Sequence, residues 1–226
     1  MKAELLVLSL AVQHGDYDYY HLISGQDLPL KSQDFIHKYF DEEVKDKICI
    51  NFQERNNLGY VFNYNLGYFH LFTDYLRRKN PIIRKAASGL RHLFIKLQQA
   101  VGYRRDWDGY ILAKGTNWMS SNKEFAQYLS HNRSKIIKKF RGVLGPDEIY
   151  KHTIALSSDF KDSLFHSSSV SDSLRHIDWN RGLPYVWRKE DFDELMSCNE
   201  LFARKFSSEV DKDIIDLIYS RLKTNE

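Results

Sequence analysis

Short apolar and aromatic runs alternate along this chain with stretches of helical spacing, and that alternation restricts it to an α/β arrangement. The strand candidates are "YYHLI" within 16–24, "ICINF" (48–52), "YILAKG" (110–115) and "LRHIDW" (174–179), and "LFARKF" (201–206) reads as a short extended piece. Between them, 2–14 reads as a helix ended by Gly15. Ser32 caps a helix to about Val44, with Phe35, Ile36, Tyr39 and Phe40 inward. Pro81 opens a helix to about Val101 with Ile82, Leu90, Leu93 and Leu97 on its inward face. Further helices are expected at 121–131, 133–141, 146–157, 189–198 and 209–223. The Gly- and Pro-bearing stretch 25–32 reads as a loop, and 53–80 has no clean period. No internal repeat interrupts this order, and 1–226 reads as a single domain.

The 226 residues suffice to bury a core, and a net charge of +3 forces no large basic field on the whole chain. Cys49 and Cys198 are far apart and match no metal spacing, which suits a reducing compartment. No apolar run approaches the roughly 18–20 residues of a membrane span. The run "AELLVLSLAV" (3–12) begins with an acid and has no cleavage site after it, so it reads as a buried helix.

Several familiar chemistries lack their signatures. There is no glycine-rich phosphate loop, no His-Glu-x-x-His and no Gly-x-Ser-x-Gly elbow. Asp106 and Asp108 form an Asp-x-Asp pair, which reads either as a divalent-metal site or as a solvated turn. "SKIIKKFR" (134–141) reads as a nucleic-acid face or as one helix with a wet basic side. In "LFARKF" an extended backbone sends Arg204 and Lys205 to opposite faces, so at least one of them either faces a group that needs a cation or makes a surface salt bridge. In "LGPDEIYKHTI" (144–154), Pro146 suits a first helical turn and Asp147 and Glu148 suit the positive end of its dipole. The same carboxylates are candidates for proton transfer.

Five stretches, in order, resemble the core-2/I-branching β-1,6-N-acetylglucosaminyltransferase and peptide O-xylosyltransferase family, in its bacterial form. They are "YYHLISGQDLPLKS" (19–32), "KGTNWMSSNKEFAQYL" (114–129), "GPDEIYKHTI" (145–154), "LRHIDW" (174–179) and "LFARKF" (201–206). The resemblance implies a GT-A-like α/β fold and inverting transfer of a sugar, N-acetylglucosamine first, from a UDP donor to a hydroxyl of a glycan or glycolipid. It places the general base at Glu148, with Asp147 shaping the turn. It implies a basic pair in place of a metal on the diphosphate: Lys205, with Arg175 as first partner and Arg181 as fallback. No cofactor is then expected, which weakens the Asp106/Asp108 metal reading. Gly25 and Asp27 would border the donor and acceptor, with Asp27 either bonding a sugar hydroxyl or stabilising its own turn. Trp118 would stack on a sugar face or sit as a core tryptophan.

The chain also departs from the family. A stretch on the order of 70 residues that family members carry before the segment matching "KAELL" has no counterpart here, so an N-terminally truncated fold and a separately encoded N-terminal half are expected. Ser207 stands where an acid is usual after the "FARKF" segment. The alternative to an active enzyme is an inactive remnant acting in binding or assembly. No nucleic-acid partner is expected; the location expected is cytoplasmic, with peripheral contact at the inner face of the membrane allowed.

Overall fold

The computed structural model describes residues 1–54 and 58–223. It is mixed α/β, as expected, and divides into two compact units. Unit 1 comprises 1–13, 52–117 and 127–161; unit 2 comprises 14–51, 118–126 and 162–226.

Most of the strand residues belong to unit 2. In one sheet β4 (Gly115–Asn122) lies between β1 (Tyr19–Leu22) and β3 (Cys49–Phe52), and β1 runs antiparallel to β4 with Tyr19 opposite Asn122. In the other, β6 (Phe202–Arg204) lies between β2 (Asp27–Pro29), antiparallel, and β5 (Arg175–Ile177), parallel. The strand β2 corrects the loop expected at 25–32. Pro29 is tolerated because it ends an edge strand, where a missing N–H breaks no ladder. One apolar cluster joins Phe40, Val44, Cys49, Phe165, Leu174, Leu201 and Phe202. Another joins Leu30, Trp187, Leu195, Ala203, Phe206, Ile214 and Ile218, the last two from α8 (Asp213–Lys223). Ser32 caps α2 (Gln33–Tyr39) by accepting from Phe35 N–H, as expected, but the helix gives way to a π-helical turn at Phe40–Val44 and leaves Phe35 exposed. The helix expected over 189–198 begins as a 3-10 turn, Lys189–Asp191, and continues as α7 (Phe192–Ser197).

Unit 1 is mainly helical. Most of α1 (Lys2–His14) belongs to it; Leu5 and Ser9 are buried, whereas Leu6, Val7 and Leu10 face outward, so this helix is only half enclosed. Asn80 caps α3 (Pro81–Ala100) with its side-chain oxygen. The inward face of α3 is the reverse of the one expected. Ala87, Ile95 and Gln98 are buried, and Ile82, Leu90, Leu93 and Leu97 are exposed. Gln98 explains the choice, because its amide donates to the carbonyl and accepts from the N–H of Phe69, both at 2.9 Å. A buried amide so satisfied holds its face inward.

The segment "YILAKG" is not a strand; β4 starts only at Gly115. Its backbone donors are taken by hydroxyls instead: Ile111 N–H donates to Ser157 Oγ at 2.8 Å and Ala113 N–H to Thr153 Oγ1 at 3.1 Å. Two short helices, α4 (Lys123–His131) and α5 (Arg133–Lys139), lead to a break at Gly142–Gly145. The helix expected over 146–157 is a 3-10 turn, Pro146–Glu148, followed by α6 (Tyr150–Leu156).

Candidate functional site

In unit 1 the chain enters the Pro146–Glu148 turn through Gly145 at φ 67, in the left-handed region where a Cβ is unfavourable. The turn closes with Ile149 N–H on the Pro146 carbonyl at 3.2 Å. It presents Glu148 half exposed, with Oε2 at 3.1 Å from Lys114 Nζ. Lys114 is itself held by Gln53 N–H on its carbonyl at 2.9 Å. Asp147 lines a cleft of about 560 Å³ bordered by Phe69–Asp74 and Phe140–Pro146. Below the turn, Tyr150 through Ala155 of α6 are all buried. Among them Lys151 is fully enclosed, with Nζ at 2.5 Å from Glu4 of α1 and 2.7 Å from Asn117 Oδ1. Desolvation pushes the Lys151 ammonium below its ordinary range, and the Glu4 charge opposes that shift. Burial, reinforced by Glu4, pushes the neighbouring Tyr150 phenol well up.

Lys151 escaped the sequence reading. A helix buried on every side shows no polar stripe, so nothing in its period separates a structural lysine from a solvated one.

In unit 2 two of the expected site residues, Asp27 and Trp118, bond directly, and Arg175, Arg181 and Lys205 are held by residues outside the expected set. Asp27 is enclosed; its Oδ1 accepts from Arg204 at 2.9 Å, and its Oδ2 accepts from Ser24 N–H at 2.5 Å and from Trp118 Nε1 at 3.2 Å. The Arg204 guanidinium lies 4.7 Å from the Trp118 ring centre. Of the two readings of "LFARKF", the structure gives Arg204 an enclosed carboxylate partner in Asp27, and Trp118 has a guanidinium against its ring. A Cβ placed at Gly25 would meet nothing within 4 Å, so packing inside the protein makes no demand for glycine there.

Arg175 is enclosed and works as a brace between the two sheets of unit 2. It donates to Ser120 Oγ at 2.7 Å, to the Met119 carbonyl at 3.1 Å and to the Ser173 carbonyl, and it lies over Phe202 at 4.7 Å. Burial pushes its guanidinium down to about 10. Arg181 is held by three carboxylates, those of Asp178, Asp191 and Glu194. Arg181 would have to leave these carboxylates to meet an anion, whereas the acceptors that hold Arg175 are neutral oxygens. Lys205 is different. It follows β6 with its backbone tied to Tyr185 and Trp187, and among the described residues no carboxylate comes within ion-pairing distance of its Nζ.

Asp106 and Asp108 lie in a tight exposed turn, in which Asp106 Oδ1 accepts from Asp108 N–H at 2.7 Å and Asp108 Oδ1 from Gly109 N–H at 3.1 Å. Among the described residues the group with metal-ligand spacing is His176, Cys198 and Glu200 of unit 2, whose ligand atoms lie within 4.8 Å of one another. The basic run 134–141 is partly taken up inside unit 1. The Lys139 ammonium lies 5.0 Å from the Trp107 ring centre and 4.9 Å from that of Tyr110, and Arg105 donates to the carbonyls of Lys139 and Arg141.

A family model described as Core-2/I-Branching enzyme matches residues 1–195. The chain is similar to xylosyltransferase sqv-6 of Caenorhabditis briggsae, 26% identical over 225 residues that cover 89% of this chain and 25% of that protein. It is also similar to xylosyltransferase 1 of Mus musculus, 27% identical over 168 residues covering 63% of this chain and 17% of that protein. For xylosyltransferase 1 of Rattus norvegicus the identity is 22% over 231 residues, covering 92% and 25%. The chain thus spans a quarter or less of these curated relatives.

Proposed function

Because the chain belongs to the Core-2/I-branching enzyme family, we propose that it is an inverting glycosyltransferase that moves a sugar from a UDP donor to a hydroxyl of a glycan acceptor. N-acetylglucosamine is the first donor sugar of this reading, and xylose the second, since the relatives are named xylosyltransferases.

The observation that carries the reading is Glu148: a half-exposed carboxylate, on a turn stiffened by Pro146, steered by an ammonium at 3.1 Å. Glu148 accepts the proton of the acceptor hydroxyl while that oxygen bonds to the anomeric carbon. The bond from that carbon to the diphosphate oxygen breaks, and the electron pair leaves with UDP. The anomeric configuration inverts because attack and departure occupy opposite faces. Lys205, whose ammonium no carboxylate neutralises among the described residues, supports the charge on the leaving diphosphate, with Arg175 or Arg181 as partner. Asp147 shapes the turn beside the base. In this reading, Asp27 and Trp118 border the sugar, Gly25 leaves room for it, and no metal is required.

The test is transfer by the purified chain from UDP-N-acetylglucosamine and UDP-xylose to a glycan acceptor array, with and without EDTA. Transfer that survives EDTA, and that falls about 10²–10⁴-fold in Glu148→Gln, supports the assignment. Turnover unchanged in Glu148→Gln removes Glu148 from its role. Strict Mn²⁺ dependence moves the diphosphate to a metal. Absence of transfer with every donor favours a protein that acts by binding alone.

A further inference from the structure

We propose that α3 lies in the surface of an anionic lipid bilayer and docks unit 1 there. The outward side of α3 carries Ile82, Ala86, Leu90, Leu93, Leu97 and Val101, spaced i, i+4, i+8, i+11, i+15 and i+19, which places them in one stripe. Ile82 is 77% exposed, Leu93 and Leu97 each 56%, and Val101, just after the helix, 79%. A stripe of about five turns is about 30 Å long. The opposite side already has its protein partner through Gln98 and Phe69, so the helix cannot roll to bury the stripe without losing both of those hydrogen bonds.

Charge selects what covers the stripe. The residues 81–100 contain Arg84, Lys85, Arg91 and Lys96 and no acid. Lys85, His92 and Lys96 are exposed along one flank of the stripe, where long stems can lie on apolar surface with their heads in the polar layer. Unit 1 as a whole holds 19 Lys and Arg against 8 Asp and Glu, whereas unit 2 holds 14 against 22. The modest net charge of the chain thus conceals a strongly basic unit. A second copy placed stripe to stripe would bring two sets of these cations together, and a nucleic acid would have no use for the leucines. Anionic headgroups over acyl chains satisfy both features. Among the described residues no helix is long and apolar enough to cross a membrane, so the helix lies in the surface rather than spanning it. Outward Leu6, Val7 and Leu10 give α1 an apolar patch as well, but one lysine and one glutamate give that helix no such charge bias.

The experiment is sedimentation of the full chain with phosphatidylcholine vesicles containing about 30 mol % phosphatidylglycerol, against pure phosphatidylcholine vesicles. Binding is expected on the anionic vesicles, weakened by added salt. It is expected to fall about tenfold in Leu90→Gln/Leu93→Gln/Leu97→Gln, with an unchanged thermal midpoint because these side chains are exposed. Should that variant unfold, Lys85→Gln/Lys96→Gln reads the electrostatic half of the same surface, with a fold-loss of several times. No binding to the anionic vesicles overturns the proposal. So does binding that the leucine and lysine variants leave unchanged, or binding equal on both vesicle types. Vesicle-free self-association abolished by the leucine variant would assign the stripe to a second copy and also overturn it.

Discussion

Asp27 and Arg204 are 177 residues apart in the chain and 2.9 Å apart in the fold. The carboxylate is 1% exposed, and its guanidinium partner lies over the Trp118 ring. Asp27 therefore joins three segments of unit 2: the turn at Ser24, the start of the Trp118 segment and the end of β6. Asp27→Ala should destabilise the protein by roughly 3 kcal/mol, because it leaves a partly buried cation and an indole N–H without their acceptor. Thermal unfolding followed by circular dichroism measures this. A change within about 0.5 kcal/mol would mean that water replaces the carboxylate.

Glu4 and Lys151 make a similar pair in unit 1, at 2.5 Å and almost wholly enclosed. Glu4→Gln strands the Lys151 ammonium and should lose about 3–5 kcal/mol. The double variant Glu4→Gln/Lys151→Met should recover most of that loss, since no buried charge remains on either side. The loss in Glu4→Gln alone should shrink as pH rises toward 10.5. The folded lysine, held below that value by burial, sheds its proton before the unfolded one does, so stability rises through that window. Denaturant titrations at pH 7 and 10 decide it; equal losses at both would place the lysine in water.

Lys114 and Glu148 give the proposed base a second handle. Lys114→Met should lower kcat with little change in KM for the donor, because the carboxylate loses its orientation rather than its chemistry. Lys114→Arg should restore part of it. A change confined to KM would place Lys114 in donor binding.

Gly145 adopts φ 67 at the entry to the same turn. Gly145→Ala should destabilise by about 1 kcal/mol from the left-handed strain alone, since a Cβ there meets no atom within 4 Å. The readout is the thermal midpoint; a neutral result would mean that the turn can rearrange.

Cys49 is fully buried, and its thiol is pushed up to about 12 by desolvation, from an ordinary value of 9. It should resist a disulfide reagent at pH 8 until the protein unfolds, whereas half-buried Cys198, held at about 11, should react slowly in the folded state. A folded pKa above the unfolded one contributes stability that is complete below pH 9 and lost as pH rises toward 12. Cys49→Ala should flatten that part of the alkaline limb. Rapid labelling of both thiols at pH 8 in the folded protein would contradict the burial.

Local chemistry alone determined a good part of this protein. The alternation of strand and helix patterns made it α/β. Ser32, Pro81 and Pro146 marked where helical segments begin, because a fixed φ, a missing N–H or a capping hydroxyl acts on its own neighbours, and Gly15, a poor helix former, marked where one ends. The core strands at Tyr19–Leu22, Cys49–Phe52, Arg175–Ile177 and Phe202–Arg204 were legible for the same reason. Only the tertiary structure decided which stripe of α3 turns inward, since the helix is apolar on two sides and a distant backbone, that of Phe69, chose between them through Gln98. It alone took the "YILAKG" segment out of a sheet by offering the hydroxyls of Thr153 and Ser157, and set Arg175 as a brace across strands more than fifty residues away. Periodicity records which residues avoid water. It holds no record of which partner, far along the chain, satisfies a buried charge or amide.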